Sequence, residues 1–241
     1  MGIDEAGRGP VIGPMVYGAC IICSKRNNEL KEMGFADSKT LTEEKREVLF
    51  ERIKESNVLG WLVEVLSAKQ LSGSMLQRAP YNLNAISHDT AIGMIRKVLA
   101  ANFNLKKVFV DTVGDPERYE SKLSSLFPSI EFAVRKKADS LFPVVSAASI
   151  CAKVTRDRCV RDWQFKETGV SFSTDYGSGY PSEPQVFGYP DLVRFSWSTT
   201  KKIIETQGES FEWEADEMEE DQSQSKINGF FTTQAGWLQM F

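Results

Sequence analysis

The chain has 241 residues, 41% of them hydrophobic, and a formal net charge of −4, enough to bury one good core with an appendage but not two full domains. Its longest apolar run, Val11 to Cys23, is broken by Gly13, Pro14 and Gly18 and falls short of the ~18 residues that a membrane-spanning helix needs, so no membrane partner is expected. The opening MGIDEAGRG carries an acidic pair where a secretory signal would carry basic residues, and an intracellular protein is expected.

In chain order, Ile3 to Glu5 reads as the end of a strand, followed by the turn Gly7-Arg8-Gly9-Pro10, and Met15 to Cys23 as a second, mostly apolar strand. Thr40-Leu41-Thr42-Glu43 has capping-box spacing ahead of a helix over Thr42 to Ser56. Val58 to Leu66 alternates Leu59, Trp61, Val63 and Val65 with smaller or polar residues, a third strand. From Asn84 to Ala101 the apolar residues recur near a 3.6 period and lead into the buried-strand signal Val108-Phe109-Val110-Asp111. Helix followed by strand implies a parallel crossover. A short helix after Pro116, a strand carrying Ile130, Phe132 and Val134, and a long helix from about Pro143 complete an α/β fold with a mixed sheet. Beyond Asp175 the chain is rich in Gly, Pro and aromatics, and after about Gly208 it reads as disordered.

Cys20, Cys23, Cys151 and Cys159 are too sparse for a disulfide framework and read as buried, reduced thiols. The single histidine, His88, lies in a helical stretch and reads as a packed or helix-surface imidazole, which leaves little room for a histidine-based triad or zinc site. The negative charge is unevenly placed. Residues 209 to 221 hold eight acids and no Lys or Arg, and residues 222 to 241 add only Lys226. The body, residues 1 to 208, therefore has 28 basic and 25 acidic side chains, mildly basic ahead of an acidic tail.

Parallel strands gather functional residues at their C-terminal ends. Asp4 and Glu5 end the first strand, Asp111 ends the Val108 strand, and Asp139 follows the Ile130 strand, so the four carboxylates are expected to converge. Such a set suits hard divalent cations, two of them about 3.5 to 4 Å apart in two-metal hydrolysis, one activating water and the other steadying the leaving 3'-oxygen. The plainer alternative is four ordinary surface acids.

Gly2-Ile3-Asp4-Glu5-Ala6-Gly7-Arg8-Gly9-Pro10 resembles the opening signature of type 2 ribonucleases H. Ala36 to Leu41 (ADSKTL), Tyr81 to Asn84 (YNLN), Val110 to Gly114 (VDTVG), Lys137-Ala138-Asp139, Ser146 to Asp157 (SAASICAKVTRD) and Gly177 to Pro181 (GSGYP) follow in that family's order, and the likeness, closest to its eukaryotic members, spans residues 2 to about 205. The resemblance implies a ribonuclease H-like fold, a mixed central sheet flanked by helices with a helical or irregular C-terminal extension. It implies that Asp4, Glu5, Asp111 and Asp139 hold two Mg2+ or Mn2+ ions and hydrolyse the RNA strand of RNA/DNA hybrids. Cleavage 5' of single ribonucleotides in duplex DNA, leaving a 5'-phosphate and a 3'-hydroxyl, is implied as well. Gly7, Arg8 and Gly9 match the turn that reads the ribose 2'-hydroxyl, Tyr180 the tyrosine that selects RNA–DNA junctions, and Lys39, Asn82 and Arg156 phosphate-binding positions. Arg156 shares its helix with Lys153, Arg158 and Arg161, a face that equally reads as merely solvated, and Arg135-Lys136-Lys137 lies ahead of Asp139. The family further implies a nuclear heterotrimer with two non-catalytic subunits.

The implied layout is a catalytic domain over 1–170, an extension over 171–208 with the junction tyrosine and partner contacts, and an acidic tail over 209–241. In that tail Gln224, Ile227, Phe230 and Phe231 fit a sliding-clamp binding box, which points to proliferating cell nuclear antigen or to a chance match. Two features depart from the family. Few residues precede GIDEAGRG, so the strand of Asp4 and Glu5 is expected to lose ladder hydrogen bonds, and a short helical stretch is missing after Gln185. Both favour the alternative of a catalytically impaired nucleic-acid-binding or assembly subunit, while the intact carboxylate set argues against it. A third alternative, a type 1 or integrase-like nuclease, lacks the pairing of Gly7-Arg8-Gly9 with Tyr180.

Overall fold

In the computed structural model, which describes residues 1–35, 41–112, 114–167 and 190–208, five strands form one mixed sheet. They are β1 (Gly2–Ala6), β2 (Met15–Ile22), β3 (Leu59–Leu66), β4 (Lys107–Asp111) and β5 (Glu131–Arg135), in the order β3-β2-β1-β4-β5. β2 runs antiparallel to both β1 and β3, while β1–β4 and β4–β5 are parallel. The parallel pairs need crossovers, and the helices α4 (Leu83–Ala100) and α5 (Pro116–Leu126) supply them. The chain divides into two units, Met1–Lys201 and Lys202–Phe241, and the sheet lies in the first.

Alternation along the strands gives the sheet two apolar faces. Ile3, Met15, Tyr17 and Ala19 meet Ile92, Ile95 and Val98 of α4 and Leu123 of α5 on one. On the other, Cys20 packs with Leu49 and Ile53 of α2 (Glu43–Glu55) and with Ile150 and Val154 of α7 (Pro143–Arg161). Glycine permits the close approach of α7. A Cβ on Gly18 would stand 2.2 Å from the Ala148 carbonyl oxygen, and one on Gly2 2.5 Å from that of Val144.

The expected elements are present, with differences that have local causes. The cap of α2 is Thr42, whose hydroxyl accepts from the Lys45 amide at 3.4 Å, which makes Glu43 the first helical residue, and Thr40 of the expected box lies outside the described residues. Two helices have no counterpart in the sequence reading: α1 (Asn27–Glu32), entered through a 3-10 turn, and α3 (Ala68–Met75), closed by a Ser67–Gln70 capping box. The single turn α6 (Ala138–Leu141) and α8 (Ser198–Gln207) complete the set. β3 is an edge strand, so Trp61 and Val65 of the alternating set are 38% and 41% exposed, Trp61 leaning edge-on against Phe50.

Cys20 and Cys151 are buried with their sulfurs 3.7 Å apart, but Cys23 is exposed just past the end of β2, and Cys159 is only partly covered. His88 stacks on Tyr119 with ring centroids 3.8 Å apart, a packed imidazole as expected. The expected loss of ladder bonds at β1 does not occur, because Met1 continues the ladder: the Phe109 amide donates to its carbonyl, and its nitrogen donates to the Lys107 carbonyl, both at 2.9 Å.

Candidate active site

β1 and β4 are parallel neighbours in which Ile3 pairs with Val110. One step further along each strand, Asp4 stands beside Asp111 at the C-terminal ends, where an α/β sheet places its functional residues. Asp139 is buried in α6 immediately after β5. The two loops are tied together because Asp111 Oδ1 accepts from the Ala138 amide at 2.9 Å. Lys137, just before it, adopts a left-handed conformation (φ 55°) that turns the chain into this bond, a backbone cost of about 1 kcal/mol or more that such contacts offset.

Asp4 is buried, and its Oδ1 accepts from the Glu5 amide at 2.8 Å. Burial, then the charges of Glu5 and Asp111, push its carboxyl well above the usual carboxylate range, against the opposing hydrogen bond from Ser149 of α7. Glu5, the next residue of the strand, pairs with Tyr17 of β2. Burial and its charge raise the phenols of Tyr17 and Tyr119 above their ordinary value.

The expected convergence of all four carboxylates is thus only partly met. Among the described residues no three His, Cys, Asp or Glu side chains form a metal-ligand cluster. Asp4 and Asp111 instead each accept from a backbone amide, those of Glu5 and Ala138. The donor chemistry nonetheless fits a hard divalent cation, since every group is a carboxylate and ionising Asp4 is opposed by charges that a cation would offset.

Beside this cluster, Gly7 has φ +76°, and a Cβ there would stand 2.6 Å from the Pro14 carbonyl oxygen, so the turn requires glycine. Arg8 reaches back to α4, donating to the Ser87 hydroxyl at 2.7 Å and the Asn84 side-chain oxygen at 2.5 Å. Sequence reasoning missed how the turn is held. Arg194 is fully buried and donates to the carbonyls of Gly13 (2.8 Å), Arg8 (3.2 Å) and Gly7 (2.5 Å), while the Trp197 indole donates to the Gly9 carbonyl at 3.1 Å. A bridge between Ile12 and Val193 and a bond from the Arg194 amide to the Val11 carbonyl at 2.8 Å stitch the same two segments together.

The phosphate candidates are placed unequally. Asn82 caps α4, its oxygen accepting from the Ala85 amide at 2.9 Å, and the residue remains exposed. Arg156 is buried beneath the turn, its side chain 3.2 Å from where a Gly7 Cβ would be, and its Nη1 pairs with Asp157 at 3.2 Å. It supports the turn rather than facing solvent. Arg158 is paired with Glu47 and Glu51 of α2, and Arg161 with Asp162 and Glu47, so much of the basic face of α7 is neutralised. Arg135 pairs with Glu120 at 2.7 Å, and Lys136 and Lys137 are exposed. Lys39, Tyr180 and the tail motif Gln224, Ile227, Phe230 and Phe231 lie outside the described residues.

A family model for ribonuclease HII matches residues 1–200. The chain is 51% identical to a ribonuclease H2 subunit of Mus musculus, over 96% of this chain and 81% of the relative. Among solved structures, the ribonuclease H2 of Pyrococcus horikoshii aligns with a TM-score of 0.68 at 33% identity, covering 85% of this chain and 96% of that one. The ribonuclease HII in a complex with PCNA from Archaeoglobus fulgidus aligns with a TM-score of 0.63 at 28% identity, covering 94% and 97%. With the fold, the glycine turn and these likenesses in agreement, the chain belongs to the ribonuclease HII family and is a hydrolase, an endoribonuclease of the ribonuclease H type.

Proposed function

We propose that this endoribonuclease cleaves the RNA strand of RNA/DNA hybrids and cuts 5' of single ribonucleotides embedded in duplex DNA, leaving a 5'-phosphate and a 3'-hydroxyl. The observation that carries the reading is the meeting of Asp4, Asp111 and the Asp139 loop at neighbouring strand ends, beside a glycine turn fixed by hydrogen bonds. Asp4, Glu5, Asp111 and Asp139 would hold two Mg2+ or Mn2+ ions. When bound, these supply an activated water and charge stabilisation for the leaving 3'-oxygen. The chain's own residues position the substrate: Gly7, Arg8 and Gly9 read the ribose 2'-hydroxyl through the backbone, Tyr180 selects the junction, and Lys39, Asn82 and the exposed Lys136 and Lys137 attract phosphates. Arg156 acts from beneath the turn.

The catalytic domain is residues 1–170, the extension 171–208 carries the junction tyrosine and partner contacts, and 209–241 is an acidic tail. The Mus musculus relative is named as a subunit, which supports assembly with partner chains; the assembly proposed is a heterotrimer with two non-catalytic subunits, acting in the nucleus. The Archaeoglobus complex supports clamp binding, and the segment proposed for it is the box of Gln224, Ile227, Phe230 and Phe231. One second reading is a silent nucleic-acid-binding or assembly subunit, favoured by the lack of a three-membered metal-ligand cluster among the described residues. The deciding experiment is magnesium-dependent cleavage of duplex DNA carrying one ribonucleotide by the reconstituted heterotrimer, with Asp111→Asn as control. Cutting on the 5' side that vanishes in the control supports the nuclease; no cutting by the assembled complex supports the silent scaffold.

A further inference from the structure

We infer that Arg194, assisted by Trp197, is the positioning residue that turns the Arg8 and Gly9 backbone N–H groups outward as a paired donor site for the ribose 2'-hydroxyl. This rests on the assignment of the Gly7–Gly9 turn as the ribose reader and adds what makes it one.

In a trans peptide the C=O and N–H point in opposite directions, and the described chain has no cis peptide. Fixing a carbonyl therefore fixes the N–H of the following residue. Arg194 Nη2 draws in the Gly7 carbonyl at 2.5 Å, which turns the Arg8 N–H away from the guanidinium. Its Nη1 draws in the Arg8 carbonyl at 3.2 Å, which does the same for the Gly9 N–H. Trp197 holds the next carbonyl, that of Gly9, at 3.1 Å, and the residue after it, Pro10, has no N–H to turn. The two donors are thus adjacent and share one outward side, an arrangement suited to a single oxygen atom. Among the described residues neither N–H has another acceptor. Arg8 and Gly9, with Met75, Leu83 and Trp197, also line an open groove of about 470 Å³, so the turn borders space that a nucleotide can enter.

The clamp is itself rigid. Arg194 is 0% exposed, its guanidinium stacks on the Trp197 ring at 4.7 Å, and its third direction is spent on the Gly13 carbonyl at 2.8 Å. A planar fork with five fixed donors can hold three carbonyls at once; a lysine ammonium at the same place is a point charge on a flexible stem.

The test measures dissociation constants of the full chain with its two partner subunits in the Asp111→Asn background, which binds without cutting. One duplex carries a single ribonucleotide and the other is all DNA. The readout is the ratio of the two constants. Wild-type contacts should favour the ribonucleotide duplex, and Arg194→Gln should lower that preference by about tenfold, the worth of roughly one well-placed hydrogen bond, with affinity for all-DNA duplex unchanged. Arg194→Lys should rescue little of it. Trp197→Phe, which keeps the ring over Arg194 and removes only the bond to Gly9, should lower the preference by about threefold and carries the test if Arg194→Gln does not fold. A folded Arg194→Gln, or in its absence a folded Trp197→Phe, that keeps the full preference overturns the inference. No preference in the parent overturns instead the assignment of the turn as ribose reader.

Discussion

The same substitution, glycine to alanine, should move stability in opposite directions at Gly18 and Gly93. Gly18 pairs with Asp4 across β1 and β2, and its added Cβ would stand 2.2 Å from the Ala148 carbonyl oxygen and 2.9 Å from the Ala152 nitrogen, both backbone atoms of α7. Neither can move aside alone, so the strand and the helix must separate by about 1 Å to restore contact distance. A gap of that size forfeits a quarter to a half of the dispersion energy along the contact, and overpacking of this kind costs about 3 kcal/mol. For a unit of this size that lowers the melting temperature by roughly 6 to 12 °C. Gly93 lies inside α4 with nothing within 4 Å of a built Cβ. Alanine there reduces only the freedom of the unfolded chain, so about 0.5 to 1 kcal/mol of stability is gained. Separation at Gly18 also draws Ser149 away from Asp4, so Gly18→Ala should lose at least about tenfold in kcat/KM even at temperatures where it is fully folded. Thermal unfolding by circular dichroism, paired with hybrid cleavage, reads both effects. A Gly18→Ala melting temperature equal to that of the parent, or a shift matching that of Gly93→Ala, would refute the argument that glycine sets the distance between α7 and the sheet.

Three further outcomes follow from charges and from the tail. Asp4 has a raised carboxyl pKa in the folded chain, so ionising it near neutral pH opposes folding, and that opposition disappears as pH falls through the folded value towards the unfolded one near ~3.9. Asp4→Asn should therefore raise the metal-free melting temperature at neutral pH, with the gain shrinking in acid; a lower melting temperature at neutral pH would contradict the burial argument. Because Arg158 is committed to Glu47 and Glu51 while Lys137 is exposed, Lys137→Ala should reduce the salt slope of hybrid binding by about one and Arg158→Ala should not change it. Equal reductions would put Arg158 on a phosphate. A peptide spanning residues 221–235 should bind proliferating cell nuclear antigen by calorimetry, and Phe230→Ala with Phe231→Ala should abolish the heat signal; retained binding would leave the motif a chance match.

Local pattern made much of this fold legible. Val108-Phe109-Val110-Asp111 announces a buried strand with its carboxylate at the end, Pro143 marks the first turn of α7, and Gly7 announces a backbone conformation that side chains rarely adopt. α3 was not read: Ser67 and Gln70 have capping-box spacing, but its eight residues carry too short an apolar stripe to declare a helix. What was not legible depends on partners distant in sequence. Arg194 bonds carbonyls more than 180 residues away, and nothing near Val193-Arg194-Phe195 distinguishes a buried arginine from a solvated one. The basic face of α7 read as a phosphate contact for the same reason. Its neutralisation by Glu47 and Glu51 exists only once α2 lies against α7.

These pairings also show where a mildly basic body commits its arginines. Arg8 is spent on Ser87 and Asn84, Arg135 on Glu120, Arg158 on α2, and Arg194 on three carbonyls of the loop between β1 and β2. Each of these uses the planar, multi-donor guanidinium to fix a backbone or a helix contact. Had one of them been aimed at Asp4 or Asp111, it would have neutralised the charge that a divalent cation needs and lowered the Asp4 carboxyl instead of leaving it raised. Lys136 and Lys137, exposed on the turn before Asp139, are flexible point charges suited to drawing in phosphate without fixing its register. Arginine as scaffold, lysine as attractor and carboxylate as cation ligand is a division of labour in which the charge deficit at the strand ends is itself a requirement of the proposed chemistry.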